Sequence, residues 1–260
     1  MGVVKYYWEW LLLFVGLFYW AVASMTVSLL GTVLIVILPQ KMALACGRFL
    51  LSKVFQIFIG FLKICKLLIL DDAELQSLAG RPEGLIIAPN HTALWDVVYI
   101  AAKIPEAVCV IKGSILMNPF LGGGARLAGY IPINSISQML KIATQRLKQD
   151  ETLLMFPEGT RTKTDAQWIN PLKGGVALLA KRTKVPVVPI FIRSNSRFYE
   201  KGWPLYKKPE FPLKICINVG EPICVAENES AQAFGQRLEN IYLTELAKPH
   251  PLRRVPNTES

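Results

Sequence analysis

The sequence predicts an α/β fold: a mixed, largely parallel sheet flanked by helices, preceded by an N-terminal membrane helix and an amphipathic interfacial helix. Three observations lead there. The stretch Leu11 to Leu38 is almost wholly apolar. Beyond Asp71, short β-prone runs alternate with helical patterns, as in parallel α/β sheets. Polar clusters follow directly on the ends of several of those runs, where sites form in open α/β sheets.

The chain of 260 residues is long enough for one sizeable core. Hydrophobic residues make up 52% and charged residues 18%, and the apolar excess sits at the front, where no charge occurs between Glu9 and Lys41. A bilayer crossing needs about 20 apolar residues, which this stretch exceeds. Ala21-Val22-Ala23 has the look of a signal-peptide cleavage site. The preceding segment offers only Lys5, however, and the apolar run continues through Val27 to Leu38, so an anchor is expected, with a re-entrant hairpin as the alternative.

From Ala45 to Leu68 the pattern changes. Arg48, Ser52, Lys53, Gln56, Lys63 and Lys66 fall within an arc of about 140° on a helix, leaving the other face apolar. That predicts an interfacial helix with lysines toward headgroups, against the alternative of a core helix of the globular part. Residues 1–70 are therefore read as membrane-anchoring helices, 71–248 as the globular domain, and the proline-rich, polar 249–260 as a disordered tail.

The net charge of +10 is shared equally between residues 1–70 and 71–260, and favours an anionic membrane as partner. Zinc-finger spacing and an RNP signature are both missing, so nucleic acid is not expected. The five cysteines, 46, 65, 109, 216 and 224, form no C-x-x-C pair, and with two histidines a zinc site is not expected. Buried free thiols in a reducing compartment account for them. Lys41, Arg48 and Lys53 follow the apolar run, so the positive-inside rule places the globular part on the cytoplasmic side of the inner membrane.

Within the globular part, strands are expected at 84–89, 107–111, 130–133, 152–156, 185–192 and 213–219, and helices near 93–103, 136–149, 172–184 and 229–247. Asn90-His91 follows the first strand, Lys112 the second, and Glu158 with Arg161 the fourth. His91 and Asp96 lie five positions apart, about 140° around a continuous helix, so they meet only if His91 is in the loop and Asp96 in the first helical turn. Thr92 is the expected N-cap there. A carboxylate so placed fixes the imidazole tautomer and stabilises its protonated form. No G-x-S-x-G elbow is present, so the hydroxyl to be deprotonated is expected to come from the substrate, with His91 as general base. A purely structural histidine–aspartate pair is the alternative.

In Phe156-Pro157-Glu158-Gly159-Thr160-Arg161-Thr162, the proline ends sheet pairing, Gly159 permits close backbone approach, and Arg161 offers a planar fork for a phosphate. The alternative is a turn with a solvated arginine.

Together N-H-x-x-x-x-D and F-P-E-G-T-R, about sixty residues apart, resemble the PlsC-type glycerolipid acyltransferases, best known as 1-acylglycerol-3-phosphate acyltransferases. The likeness runs from about Gly84 to Ile223. It includes Lys112 with Asn118-Pro119, the Gly129–Ile133 block, Leu172-Lys173-Gly174-Gly175, the Val185–Pro189 block, and Gly220-Glu221-Pro222-Ile223. The resemblance implies direct acyl transfer from acyl-CoA or acyl-carrier protein to a lysolipid hydroxyl, with no metal, cofactor or covalent intermediate. It makes His91 and Asp96 the catalytic pair. It assigns Glu158, Gly159, Thr160 and Arg161 to the acceptor site, and Lys112 to the acceptor phosphate.

One departure bears on the acceptor. The family usually continues Asp-Arg where this chain has Asn134-Ser135, which removes one charged clamp. The leading acceptor is 1-acylglycerol-3-phosphate, giving phosphatidic acid; another lysolipid, such as a lyso-aminolipid, comes next. A lipid hydrolase and a non-catalytic lipid-binding protein are the remaining alternatives. Lys173 is a further candidate cation. Gly122-Gly123-Gly124 lacks the lysine and hydroxyl of a Walker loop, so a tight turn or close backbone packing is expected.

Overall fold

The computed structural model describes residues 2–118, 120–163, 168–204 and 207–252. Two long helices come first: α1, Val3–Ile37, and α2, Gln40–Ile64. Both are long and apolar enough to cross a membrane. Pro39 forces Leu38 into an extended conformation and so divides the run into a hairpin. The two helices lie antiparallel: Gly16 faces Phe58, the Tyr19 hydroxyl donates to Val54 O at 2.6 Å, and the Trp20 ring meets Phe55 and Phe58.

The packing of α2 differs from expectation. Its apolar residues Phe55, Phe58, Ile59 and Leu62 are buried in the protein core rather than left for acyl chains. Ser52 and Gln56, expected toward headgroups, both donate to Ala102 O, and Arg48 pairs with Glu151 at 3.2 Å. The outward side mixes Met42, Phe49, Ile57 and Ile64 with Lys53 and Lys63. A helical-wheel arc does not distinguish a headgroup from a protein group as the partner of a polar side chain, and here two of the six residues found a buried carbonyl and a third a carboxylate.

Strand β1, Leu68–Asp71, follows directly and belongs to the sheet, so the boundary expected at residue 70 falls inside a strand. After a 3-10 turn at Ala73–Leu78, the chain continues through β2 (Ile86–Pro89), α3 (Asp96–Lys103), β3 (Val108–Lys112), α4 (Gly113–Leu116) and α5 (Gly122–Leu127). Next come β4 (Ile131–Ile133), α6 (Ile136–Leu147), β5 (Leu153–Leu154), α7 (Gly175–Thr183), β6 (Val187–Ser194), β7 (Leu213–Val219) and α8 (Ala231–Ala247). The sheet order is β1-β7-β6-β2-β5-β3-β4, parallel throughout except for the antiparallel pair β6–β7. The expected mixed, largely parallel sheet is present.

Two cores sandwich the sheet. One is built from α3 and the hairpin, with Leu12, Leu13, Phe58, Leu62, Trp95, Tyr99 and Ile100 against Ile87 and Ile192. The other lies under α6, α7 and α8, with Met139, Ala143, Val176, Phe234, Leu238 and Tyr242 against Ile86 and Val108. The triple glycine opens α5 and serves close packing, as expected. A side chain at Gly123 would come within 2.6 Å of the Ser28 Cα on α1, and Leu127 presses onto both Gly31 and Gly47. Of the five cysteines, Cys109 and Cys216 are buried, but Cys46 and Cys224 are exposed, contrary to expectation. Of the expected tail, residues 253–260 lie outside the described residues.

Candidate active site

Strand β2 runs between β5 and β6, all three parallel, so three loops leave the same sheet edge side by side. Adjacent strands are about 5 Å apart, which brings residues distant in sequence into hydrogen-bonding range. Asn90 anchors the first loop. Fully buried, it bonds across to β6 through Ile192 N and O and to Trp168 O, extending the sheet by one residue.

His91 then sits in the loop and Asp96 opens α3, as the five-residue spacing requires. The imidazole Nδ1 lies 3.0 Å from Asp96 Oδ2, which also accepts from Ala93 N at 2.7 Å. An ionised carboxylate only accepts, so Nδ1 carries the proton and Nε2 is the free base. Asp96 is 1% exposed and the histidine side chain 17%, so the pair is sheltered with one edge open. Phe156 stacks on the imidazole at 3.9 Å between ring centroids and fixes its plane. Thr92 does not cap α3; Trp95 holds that position, and the Thr92 hydroxyl reaches Asp96 Oδ1 at 3.3 Å instead.

The second loop, after β5, braces the first. Glu158 is 1% exposed. Its Oε1 accepts from His91 N at 2.6 Å and its Oε2 from Asn170 N at 2.7 Å, while the Thr162 hydroxyl lies within 3.1 Å of both oxygens. Thr162 also donates its backbone N–H to His91 O at 2.6 Å. Burial pushes Glu158 up to about 7, against the opposing pull of these hydrogen bonds. The resemblance assigned Glu158 to the acceptor. The structure instead gives both its oxygens protein partners, which makes it a positioning residue for the His91 backbone.

Gly159 has φ of +64°, which favours glycine, and the Lys173 side chain crosses it. A side chain at Gly159 would meet Lys173 Cδ at 2.9 Å and Nζ at 3.3 Å. Lys173 is therefore brought to this loop. Thr160 is half-buried beside Gly159, and it is Thr162 whose hydroxyl ties the loops together. Arg161 Nη1 donates to Tyr199 O at 2.8 Å and Glu200 O at 3.1 Å, in the third loop, after β6. Burial lowers the Arg161 pKa, opposed by the Asp96 carboxylate. Among the described residues Nη1 alone makes hydrogen bonds, so the rest of the fork is open.

Lys112 ends β3 and is exposed; β5 separates β3 from β2, so it lies about 10 Å across the edge from His91's strand. Beside it, Asn134 packs on Gly113, and the Ser135 Oγ caps α6 by accepting from Gln138 N at 3.2 Å. The position where the family usually has an arginine thus serves as a helix cap. Sequence reasoning missed Asn170 and the Tyr199 and Glu200 carbonyls. Backbone carbonyls leave no trace in side-chain identity, and Asn170 falls between the matched motifs.

The family pattern described as Acyltransferase matches residues 74–193, which span both motif clusters. Over residues 74–193 the chain is similar to this acyltransferase family. A 1-acyl-sn-glycerol-3-phosphate acyltransferase of Pseudomonas aeruginosa is 28% identical over 72% of this chain and 74% of its own length. The Helicobacter pylori protein of the same name is 31% identical over 47% of this chain and 54% of its own. The chain spans about half the length of the first curated relatives it matches. The 1-acyl-sn-glycerophosphate acyltransferase PlsC of Thermotoga maritima shares the fold, with a TM-score of 0.67 at 18% identity over 96% of this chain and all of that one. Within the matched region the N-H-x-x-x-x-D and F-P-E-G-T-R motifs occupy adjacent parallel strand ends, and a third loop clamps the arginine.

Proposed function

We propose that the protein is a membrane-bound acyltransferase that moves a fatty acyl group from acyl-CoA or acyl-carrier protein to the hydroxyl of a lysolipid, foremost 1-acylglycerol-3-phosphate. The observation that carries this reading is the His91–Asp96 pair, with Nδ1 engaged and Nε2 free, beside an arginine whose fork is partly open. His91 Nε2 takes the proton of the lysolipid hydroxyl as that oxygen bonds to the thioester carbonyl carbon. The adduct collapses with cleavage of the C–S bond, and the proton on Nε2 passes to the leaving thiolate. Asp96 stabilises the imidazolium formed in between. Arg161, with Lys112 and Lys173, receives the acceptor phosphate, a role suited to a planar guanidinium.

The hairpin of α1 and α2 forms the membrane attachment, with the domain on the cytoplasmic side of the inner membrane, consistent with the basic residues after the apolar run. A second acceptor class, the lyso-aminolipids, is favoured by one observation: Ser135 caps α6 where a phosphate-binding arginine is usual. Incubation of the full-length protein in lipid vesicles with labelled acyl donor and a set of lysolipids tests both readings. Lysolipid-dependent ester formation, absent in His91→Ala, is expected, with 1-acylglycerol-3-phosphate as the preferred acceptor. Release of free fatty acid without acceptor dependence would refute acyl transfer to lipid.

A further inference from the structure

Glu9 is the one acidic residue before Asp71, and it lies in α1 among exposed apolar neighbours, yet it is only 4% exposed. Its carboxylate forms an ion pair with Lys208, itself sheltered, and Lys5 stands 3.8 Å away at the rim. The Lys208 ammonium also sits over the rings of Tyr6 on α1 and Phe211 at the end of the loop, at 5.2 and 5.7 Å. Phe211 in turn packs against the core cluster and, with Leu12, Leu13 and Tyr199, lines the seam between α1 and the domain. The first turns of α1 are thereby fastened to the loop that follows β6.

That loop is the one whose carbonyls hold Arg161. Tyr199 O accepts both Arg161 Nη1, at 2.8 Å, and Leu94 N, at 3.1 Å, so one carbonyl joins the arginine to the His91 loop. Tyr199 has φ of +61°, unfavourable for a tyrosine, and is kept there by rings packed around it: Trp95 edge-on at 5.0 Å and Phe198 stacked at 3.8 Å. A strained carbonyl of this kind needs its surroundings fixed.

We infer that the Glu9–Lys208 ion pair is a latch by which the membrane helix holds the post-β6 loop, and through Tyr199 O and Glu200 O orients Arg161 for the acceptor. Glu9 and Lys208 are positioning residues; neither touches substrate. A buried pair broken on one side leaves an uncompensated charge, so the loop shifts to expose it to water. The inference rests on the proposed role of Arg161 at the acceptor.

The test uses the full-length protein in lipid vesicles, with Glu9→Gln, Lys208→Met, the double variant and Arg161→Ala, varying 1-acylglycerol-3-phosphate and acyl donor separately. Each single latch variant is expected to raise the acceptor KM about tenfold, with kcat and the donor KM within about threefold of the parent. The double variant should be no worse than the more impaired single one, the signature of a shared interaction. Tryptic cleavage after Lys201 and Lys207 should speed up in Glu9→Gln. Additive effects, a loss falling equally on kcat and both substrates, or an acceptor KM unchanged within about twofold would each overturn the latch. If Arg161→Ala itself leaves the acceptor KM unchanged, the acceptor role of Arg161 fails instead.

Discussion

Glu158→Gln isolates the brace behind the histidine. The side chain is 1% exposed, its Oε1 takes His91 N at 2.6 Å and its Oε2 takes Asn170 N at 2.7 Å. When Glu158 is protonated, its hydroxyl can donate to the Thr162 Oγ, which lies within 3.1 Å of both carboxyl oxygens, and still accept a backbone N–H through a lone pair. A glutamine amide cannot: whichever way it is turned, its NH2 faces one of the two backbone donors. One buried N–H is left unpaired, at a cost of about 1–3 kcal/mol. For a chain of this size that corresponds to about 2–4 °C of Tm per kcal/mol.

The effect depends on pH. Glu158 is raised from 4.5 to about 7 by burial, so its neutral form is the one the fold favours. That stability is fully present below about 4.5, falls as pH rises toward 7, and is gone above it, about 3 kcal/mol in all. Glutamine does not titrate. The gap in Tm between parent and variant, followed by tryptophan fluorescence in micelles, should therefore be wider at pH 5 than at pH 8. Turnover should fall by roughly ten- to a hundredfold as the His91 backbone loses its donor bond and the imidazole moves. A variant with parental Tm at pH 5 and parental turnover would refute the brace, as would a gap that widens with pH.

His91→Ala should lower turnover by about a hundred- to ten-thousandfold with folded protein retained, and Asp96→Asn should also be severe because it loses the tautomer control at Nδ1; rate assays with matched Tm values check both. Arg161→Lys keeps the charge but cannot bridge two carbonyls and still present a fork, so acceptor use should drop by more than tenfold in acceptor titrations. Gly123→Ala places a methyl within 2.6 Å of the Ser28 Cα and should cost about 1–3 kcal/mol, seen as a lower Tm. A high-salt wash should leave the protein in the membrane fraction, since salt screens charge and not apolar contact; recovery in the supernatant would show that the hairpin does not insert.

Much of this arrangement was legible in the sequence because strand and helix have different periods, and because a site at a parallel sheet's edge leaves polar residues just after apolar runs. His91 in a loop with Asp96 in the first turn followed from five-residue spacing alone. Strand β1 did not, because its four residues, Leu68–Asp71, continue the apolar character of α2 without a break. The bonding of Ser52 and Gln56 to Ala102 O escaped notice because helical periodicity reports angle and not what stands opposite. Glu158 was placed at the substrate by motif, whereas its partners are two backbone N–H groups and a threonine hydroxyl, identifiable only once β2 and β5 are seen side by side.

One face of the sheet is roofed by the hairpin itself: Leu12, Leu13, Phe55, Phe58 and Leu62 share a core with Ile87, Tyr99, Ile100 and Ile192. This constrains biogenesis. The hairpin is synthesised first and must remain near its folding partner while the remaining chain emerges, since the strands acquire a complete hydrophobic interior only by closing onto it. Shortening the chain to begin after residue 65 would strip the cover from Trp95, Tyr99 and Ile100 and yield an aggregating fragment rather than a soluble enzyme. With the membrane attachment proposed above, insertion of the hairpin and completion of the fold become one event for this chain.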